Sequence, residues 1–527
     1  MTMKPITLAF IGALGWAGMP AAHALPDDAG SPVPPRIVVT AGADVAPQRV
    51  SVREFAALIA SADELVRVQR LEQDIGDQGV RGAQALFEPF LFAALEREGM
   101  HVLNSAQDAK QRGLNPGDVF DSRESRVKTG VMVKASGGAD VELSYNASIM
   151  TNSLQPLANA PSPEHKGYLG VKVTQPLLRG AGPEANRLGI DIAEAERRVA
   201  GETVRQLLAQ RVMDGVNQYL LVQRAEERVR LRTAVFEAAT AIEQEMTRQQ
   251  GGGLKSATEL TEARSSLALR RAQLAQAQQE LEEQVNALQI FLSARERVAD
   301  APWRRSRVMP VAEVDTGALA EARDRSNGLD SVMARRPEAR IGALRVERES
   351  RKLDAARDQA LPEFNVQVRY GKEDLSSSMR SGQDYLSSQV PYQSWMVGLT
   401  YKIGLFGDGK RDSEYQTAAY RKRQAELAAG ALQQRIANEL HTTDSVVDKA
   451  GQQLQRQREI VQAQRSLLKI EEQLVKEGRR SSVDVERKRL ETLVAEEALA
   501  DAQAQALRAG YLAAQADGSL LARMGLE

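Results

Sequence analysis

The sequence contains no cysteine, few aromatic residues and no excess of either charge. Without cysteine the chain cannot form disulfides, thiolate metal sites, a cysteine nucleophile or a lipid anchor on an N-terminal Cys. Its 69 Lys and Arg nearly balance 70 Asp and Glu, which argues against a strongly basic nucleic-acid binder. Only 4% of residues are aromatic although 43% are hydrophobic. Ala, Leu and Val therefore dominate the apolar residues, as is typical of long, closely packed helices.

Residues with catalytic or metal-binding potential are equally sparse. The four histidines are widely separated in the sequence, and no H-E-x-x-H or G-x-S-x-G motif is present. The glycine-rich segment 251–256 lacks the spacing of a phosphate-binding loop and the strand that should precede it. We therefore predict no catalytic residues, no metal ligands and no cofactor, and the chain is not expected to be an enzyme.

The N-terminal residues predict export from the cytoplasm. Lys4 precedes a short apolar run from Ile6 to Ala17, and Ala22-His23-Ala24 is an A-x-A cleavage site, so residues 1–24 are interpreted as a signal peptide. The alternative is a membrane anchor, but the run is shorter than the roughly 20 residues of a bilayer span. A Pro-rich leader follows at 25–50. The exported chain would either be soluble or cross a membrane as strands.

The rest of the chain has the pattern of an internal duplication. Two glycine-flanked helical tracts, one from Gly182 to Gly251 and the other from Gly409 to Gly478, each separate their glycines by 69 positions. A second helical tract follows each, which predicts long hairpins at 183–293 and 410–516. At about 1.5 Å per residue the first arm, 183–250, is roughly 100 Å long. Leucine recurs every seven residues on the returning helix, typical of a coiled-coil seam; an ordinary two-stranded coiled coil is the alternative. These leucines are Leu260, Leu267, Leu274, Leu281 and Leu288.

Four other segments alternate between apolar and polar residues and predict one strand pair in each half. They are residues 139–149, 169–174, 364–370 and 395–403. Helix is predicted from about Ser51 to Leu65 and again from about Val80 to Asp108. The predicted organisation is a first repeat at 51–300 with strands at about 130–177, a connecting segment at 301–336, and a second repeat at 337–527 with strands at about 362–405.

Strands with one apolar and one polar face fit a membrane β-barrel, in which lipid contacts the apolar side. Four aromatic residues could form an interfacial belt: Tyr145, Tyr168, Trp395 and Tyr401. The alternative is a soluble sheet whose apolar face packs on the helices. Four strands cannot close a barrel, and open edges in lipid leave backbone groups unpaired, so a membrane sheet would require several copies to pool their strands.

Several segments together resemble the TolC-type outer-membrane efflux family from about Val80 to Leu526. The segment 173–180 and its repeat partner 399–407 resemble the family's strand-to-helix junctions, and residues 336–338 followed by 361–363 resemble the segment before its third strand. Residues 477–485, Glu-Gly-Arg-Arg-Ser-Ser-Val-Asp-Val, resemble the segment near the second helix-hairpin tip. The fold class implied is mainly α with a membrane β-barrel, in which each protomer adds four strands and long hairpins.

The resemblance also implies partners and a location. It implies a homotrimer whose strands form a shared barrel of about twelve in the outer membrane of a Gram-negative bacterium, in contact with outer-membrane lipid. A periplasmic adaptor protein would dock on the tip of the helical tunnel, and an inner-membrane transporter would supply energy to this passive duct. No nucleic acid is expected as a partner. A soluble periplasmic coiled-coil scaffold protein is the competing prediction.

Two sets of residues are implied as functional by the same resemblance. Adaptor docking would involve Gly253, Leu254 and Ser256 at the first tip, with Gly478, Arg479 and Ser481 at the second; these residues could instead serve only as helix breaks and caps. A constriction would involve Asp484, which three copies would bring around one axis, although Arg487 stands where many relatives carry a second acid. Arg480 is predicted to pair with Glu259, and a solvated helix face is the alternative for each of these charges.

Overall fold

The computed structural model describes residues 48–113, 115, 117–155, 162–251, 257–293, 308–311, 328–376, 378–380, 384–385, 392–404 and 407–526. The predicted signal peptide and the leader up to residue 47 lie outside these residues. In chain order the elements are β1 (Gln48–Val50), α1 (Val52–Ala62), α2 (Glu64–Gln84), β2 (Phe90–Leu103), α3 (Ala106–Arg112), β3 (Val119–Lys134), β4 (Asp140–Asn152), β5 (Glu164–Pro176), α4 (Gly182–Gly251), α5 (Ala257–Ser293), β6 (Val308–Pro310), α6 (Leu329–Arg335), α7 (Pro337–Ala360), β7 (Glu363–Ser376), β8 (Tyr392–Lys402), α8 (Gly409–Lys476), α9 (Ser482–Ala516) and α10 (Leu520–Met524).

Two helical hairpins form the long axis of the molecule. Helix α4 has 70 residues and packs against α5, while α8 has 68 residues and packs against α9. These sequences are rich in Ala, Leu, Glu, Gln and Arg, all strong helix formers, and neither long helix contains proline after its first turn. Helix α9 also packs on α4, which joins the two hairpins, and α2 and α7 lie along α4. No described helix is apolar enough over a sufficient length to cross a bilayer.

The leucines of the predicted seam face the neighbouring helices of the bundle. Leu260 and Leu288 are buried, and Leu267, Leu274 and Leu281 between them are half-buried. Ala277 and Val285 on the same helix are also buried. The seam therefore packs closely at the two ends of α5 and more loosely between them.

The largest hydrophobic core lies where the hairpins meet the N-terminal helices. Phe55 and Ile59 of α1 are fully buried, together with Leu288 of α5. The same cluster includes residues of β1, α4, α9 and α10. Tyr219 of α4 lies in this core, and its hydroxyl donates to the Val50 carbonyl at 3.0 Å and accepts the Val311 amide at 3.0 Å. Burial raises the pKa of the Tyr219 hydroxyl above its ordinary value.

A six-stranded antiparallel sheet lies at the end of the molecule where α4 and α8 begin. Its strand order is β2-β3-β4-β5-β7-β8. This arrangement corrects two predictions. The sheet contains six strands where four were predicted, and residues 90–103, predicted to be helical, form strand β2. The described sequence after α2 therefore holds an additional hairpin, β2–β3, before the two predicted pairs. A separate two-stranded ladder joins β1 to β6 in parallel, so residues 48–50 of the predicted leader are structured.

The register gives the sheet one apolar and one polar face. Tyr145 pairs with Leu169, and Val171 pairs with Tyr370, on the apolar face. Tyr168 lies on the opposite face with its ring over Gly170 and Gly371, where a Cβ atom would lie within 2.6 Å of that ring. The predicted place of Tyr168 in an aromatic belt on the apolar face is therefore wrong. Tyr145 does lie on the apolar face, where its hydroxyl donates to the Arg380 carbonyl at 2.6 Å and its ring packs edge-on against Tyr385.

The turn between β3 and β4 is docked on the junction between β5 and α4. The Gly182 amide donates to the Gly137 carbonyl at 3.1 Å, and Gln175 donates to the same carbonyl at 3.2 Å. Gly138 has a φ of 91°, a conformation that glycine adopts far more readily than other residues. A Cβ atom at Gly138 would lie 2.3 Å from the Gly180 carbonyl oxygen and 2.7 Å from the Asn186 amide nitrogen. This close approach fixes the turn between β3 and β4 to the start of the first long helix.

Candidate functional site

The second hairpin turns at the five exposed residues 477–481, which lie between α8 and α9. Gly478 has a φ of 72°, and its amide donates to the Val475 carbonyl at 2.9 Å, so the turn uses the left-handed conformation that favours glycine. Nothing lies within 4 Å of the position that a Cβ atom would occupy. Gly478, Arg479, Arg480 and Ser481 are all exposed. The predicted residues of this tip are therefore accessible to another protein.

Ser481 and Asp484 form a reciprocal cap at the start of α9. The Ser481 hydroxyl accepts the Val483 amide at 3.1 Å, and the Asp484 carboxylate accepts the Ser481 amide at 3.2 Å. This arrangement satisfies backbone donors that the first turn of a helix leaves unpaired. Asp484 thus has a structural contact within its own chain, in addition to the constriction role predicted for it.

Arg480 has a contact on the helix that leads to the tip. Its Nε atom lies 3.6 Å from the Glu471 carboxylate of α8. Glu259, its predicted partner, lies near the start of α5 and takes part in an interaction of its own. Gly253, Leu254 and Ser256 of the first tip lie outside the described residues. The structure therefore locates the second set of tip residues and leaves the Arg480 to Glu259 pairing a prediction.

A small apolar cluster holds the two hairpins together near their tips. It consists of Met246 of α4, Leu260 of α5 and Val483 of α9, all buried. Val483 directly precedes Asp484, so the start of α9 is fixed against the first hairpin. In the sequence, Val483 is recognisable only as an apolar residue after the helix cap. The sequence does not show that Val483 packs against α4 and α5.

An ion network joins the hairpins further from the tips, and sequence reasoning missed it. Arg228 of α4 lies 2.7 Å from Glu280 of α5, 3.3 Å from Asp501 and 3.4 Å from Glu497, both of α9. Arg224 and Arg232, one turn away on either side, contact the same two α9 carboxylates at 2.5 and 2.8 Å. Burial alone would lower the pKa of Arg228, but the hydrogen bond to Glu280 and the surrounding carboxylates raise it above its ordinary value.

We expect Arg228→Met to weaken the packing of α9 on the first hairpin. The substitution removes the cation shared by three carboxylates at a side chain that is only 20% exposed, whereas Arg224 and Arg232 retain part of the network. The expected loss is about 1 to 2 kcal/mol of unfolding free energy, measured by urea denaturation in detergent. Arg230→Met is the matched control, because Arg230 is 65% exposed and forms its ion pair with Glu227 on its own helix. Equal stability of the two variants would contradict a role for the network.

Sequence and structure comparisons agree with this arrangement of hairpins and sheet. Residues 328–522, from α6 to α10, match the family model described as outer membrane efflux protein. No curated protein matches the chain significantly. Among solved structures, a membrane protein from Pseudomonas aeruginosa has a TM-score of 0.58 at 16% identity, covering 89% of this chain and 90% of that one. The CmeC outer membrane channel of Campylobacter jejuni has a TM-score of 0.58 at 12% identity, covering 89% and 86%. The MtrE outer membrane channel of Neisseria gonorrhoeae, in its open state, has a TM-score of 0.53 at 14% identity, covering 91% and 95%.

These matches define the class of protein: a mainly helical chain with an antiparallel sheet, in the fold of TolC-type channels. The sequence match to the family described as outer membrane efflux protein covers residues 328–522. The resemblance stated from residues 336–338, 361–363, 399–407 and 477–485 is thereby confirmed. Within the described residues, no group of three or more His, Asp or Glu side chains is arranged to hold a metal ion.

Proposed function

We propose that this protein is a passive exit duct in the outer membrane of a Gram-negative bacterium, serving a tripartite efflux or type I secretion system. Three copies would close their strands into a barrel in contact with outer-membrane lipid and extend their hairpins into the periplasm as a tunnel. A periplasmic adaptor protein would dock at the tips, and an inner-membrane transporter would supply the energy. The family match over residues 328–522 supports the general class of this function.

The single observation that supports a duct most strongly is the exposure of the sheet's apolar face. Trp395 is 76% exposed and Leu399 is 70% exposed in a single chain. Contiguous apolar surface of this kind indicates a membrane or partner contact. The competing periplasmic scaffold would require this face to pack on the helices, and these side chains do not. In a barrel both faces of the sheet are satisfied, because the apolar face contacts lipid and the polar face contacts the water inside.

Two measurements test the duct itself. When cells that produce the protein are treated by osmotic shock, the protein should remain in the outer-membrane fraction and should require detergent for extraction. In planar lipid bilayers it should produce discrete conductance steps in potassium chloride. Release by osmotic shock, together with an absence of conductance steps, would reject the duct and support the scaffold.

We expect substitution at the second tip to reduce export without disturbing assembly. Gly478→Asn preserves the left-handed turn, since Asn tolerates positive φ, but places a side chain where the adaptor backbone would approach. Arg480→Ala removes an exposed cation. Each should reduce export about tenfold, equivalent to about 1.4 kcal/mol of docking free energy. The cargo is first identified by isolating the complex with its transporter. Export of that cargo is then measured for the parent and for each variant.

The matched control for the tip variants is Arg423→Ala on α8, the helix that leads to the tip. Arg423 is 68% exposed and pairs with Glu426, and it lies far along α8 from the tip. Export by the Arg423→Ala variant should therefore equal export by the parent. All variants should show the parent's oligomeric state in detergent. Unchanged export in both tip variants would rule out docking at Gly478 and Arg480 while leaving the duct intact.

A further inference from the structure

The additional hairpin β2–β3 is a continuous part of the sheet. Strand β2 pairs with β3 over 14 residues, from Phe90 opposite Met132 to Leu103 opposite Val119. Strand β3 in turn pairs with β4 over 13 residues, from Ser122 opposite Asn152 to Lys134 opposite Asp140. Ladders of this length are as extensive as those between β5, β7 and β8. The hairpin is therefore bound to the sheet by the same hydrogen bonding that joins its other strands.

The apolar face of the sheet extends across the hairpin. Leu91 and Leu95 of β2 are 76% and 75% exposed, as exposed as Trp395 of β8 at the other edge. The register places Leu95 opposite Val127, and Val131 opposite Leu143 of β4. One apolar band thus runs through every strand of the sheet. If the hairpin folded over the outside of a barrel, its apolar residues would not need to align with the apolar residues of the neighbouring strands.

The polar face also extends across the hairpin and carries paired charges. Lys128 of β3 lies 3.0 Å from Glu142 of β4, and Arg126 lies 3.1 Å from Glu98 of β2. This face lines a concavity of about 890 Å³ that reaches from Glu96 to Tyr392. The hairpin thus has the two-sided pattern of a wall strand, with apolar residues on the convex side and charges facing water.

Within the described residues, β2 and β8 each pair with a neighbour on one side only. Because the six strands alternate in direction, β2 and β8 run antiparallel to each other. The free edge of β2 in one copy can therefore pair with the free edge of β8 in the next copy and continue the antiparallel order. Such closure is required of any sheet that lies in lipid, since unpaired backbone groups are costly there.

We propose that β2 and β3 are wall strands of the shared barrel, joined to the next copy through pairing of β2 with its β8. This inference rests on the proposed function. Three copies of a six-stranded sheet give eighteen strands instead of twelve. Barrel diameter grows roughly in proportion to strand number, so the bore is about half again as wide, and barrels of about 16 to 18 strands hold an aqueous channel. The wider mouth would admit a bulkier cargo, with charged rather than apolar surface, because the added lining is charged.

The absence of cysteine allows a direct test by disulfide formation. The first set of variants joins copies through the added strand: Leu399→Cys in β8 is combined with Leu91→Cys, Ala93→Cys or Leu95→Cys in β2. Three positions are used because the register between copies is open. The second set combines Leu399→Cys with Leu143→Cys or Tyr145→Cys in β4, the strand that would meet β8 if the hairpin lay outside the wall. The purified protein is oxidised in detergent and separated by mass without reductant.

The matched control combines Leu399→Cys with Ala94→Cys, which lies on the opposite face of β2 from Leu95 and should not form a disulfide. We expect covalent trimers from at least one β2 combination and single chains from both β4 combinations. Covalent trimers from the β4 combinations alone would overturn the eighteen-strand wall while preserving the trimeric duct. Single chains from every combination, with the mass of one chain in detergent, would reject both the wall and the proposed function.

Discussion

We expect Gly138→Val to prevent stable folding of the sheet onto the helices. In the turn at 135–139 the Gly138 α-carbon lies against the Gly180 carbonyl. A Cβ atom at Gly138 would be only 2.3 Å from that carbonyl oxygen. Contacts this short with backbone atoms can be relieved only if the turn moves away from the junction between β5 and α4. A β-branched residue also disfavours the φ of 91° at this position. The left-handed conformation alone costs about 1 to 2 kcal/mol, and the overlap increases the expected loss to about 3 kcal/mol or more.

The measurement is the thermal unfolding of the detergent-solubilised protein, followed by circular dichroism together with its oligomeric state. Gly137→Ala is the control at the neighbouring position. Nothing lies within 4 Å of the place that a methyl group would occupy at Gly137. Alanine retains the carbonyl oxygen that accepts the Gly182 backbone amide and the Gln175 side-chain amide. We expect the control to unfold like the parent. Parent-like unfolding of Gly138→Val would show that the docked turn contributes nothing to stability.

We expect Leu288→Ala to destabilise the point where the hairpins meet the N-terminal helices. Leu288 is fully buried in a core that it shares with Phe55 and Tyr219. Removing three carbon atoms from such a site costs about 2 to 5 kcal/mol, because the transfer free energy is lost and a cavity remains. The loss should appear in urea unfolding as a lower midpoint with an unchanged slope.

Two comparisons establish that burial causes the Leu288 effect. Leu288→Met nearly conserves volume and should cost less than about 1.5 kcal/mol. Asn286→Ala, two positions away on an exposed face of α5, should change stability by less than about 0.5 kcal/mol. If Leu288→Ala were no more destabilising than Asn286→Ala, the core would be too loosely packed to hold the hairpins in place.

The sequence predicted elements best where one residue period persisted over many positions. The tract after Gly182 has a helical pattern with no strong breaker for 69 positions, and tertiary contacts need only orient such a helix. The alternation in 139–149 and 395–403 likewise defines both the strand and its apolar face. Local patterns of this kind are sufficient because each face meets a single environment over its whole length.

The β2–β3 hairpin was missed because its first strand begins with an unbroken apolar run. Residues 90–95, Phe-Leu-Phe-Ala-Ala-Leu, have no alternation, so strand and helix cannot be distinguished by period. Their conformation is determined by pairing with β3, which is a non-local contact. One signal was present: Val127, Val131 and Val133 share one face ahead of β4, and Lys128 and Gly130 lie on the other. Combined with the turn glycines at 137 and 138, this alternation predicts a strand.

The candidate site was predictable in kind but not in its contacts. Glycine and serine at 478 and 481 predict a reversal followed by a helix cap from local chemistry alone. The partners of charged side chains depend on which helices are neighbours. Arg228 contacts residues about 50 and 270 positions away in sequence, and nothing local distinguishes it from the other arginines of α4.

The matched lengths of the two hairpins determine the shape of the end that a docking protein would meet. Helices α4 and α8 end at Gly251 and Lys476, and α5 and α9 begin at Ala257 and Ser482, so both turns are shifted by the same number of residues. Because Met246 and Val483 also belong to one apolar cluster, this equality places the two tips of a chain level with each other, as a flush lower rim. Removing one heptad from both arms of a single hairpin would notch that rim by about 10 Å. The same deletion in both hairpins would shorten the proposed tunnel and leave its rim level.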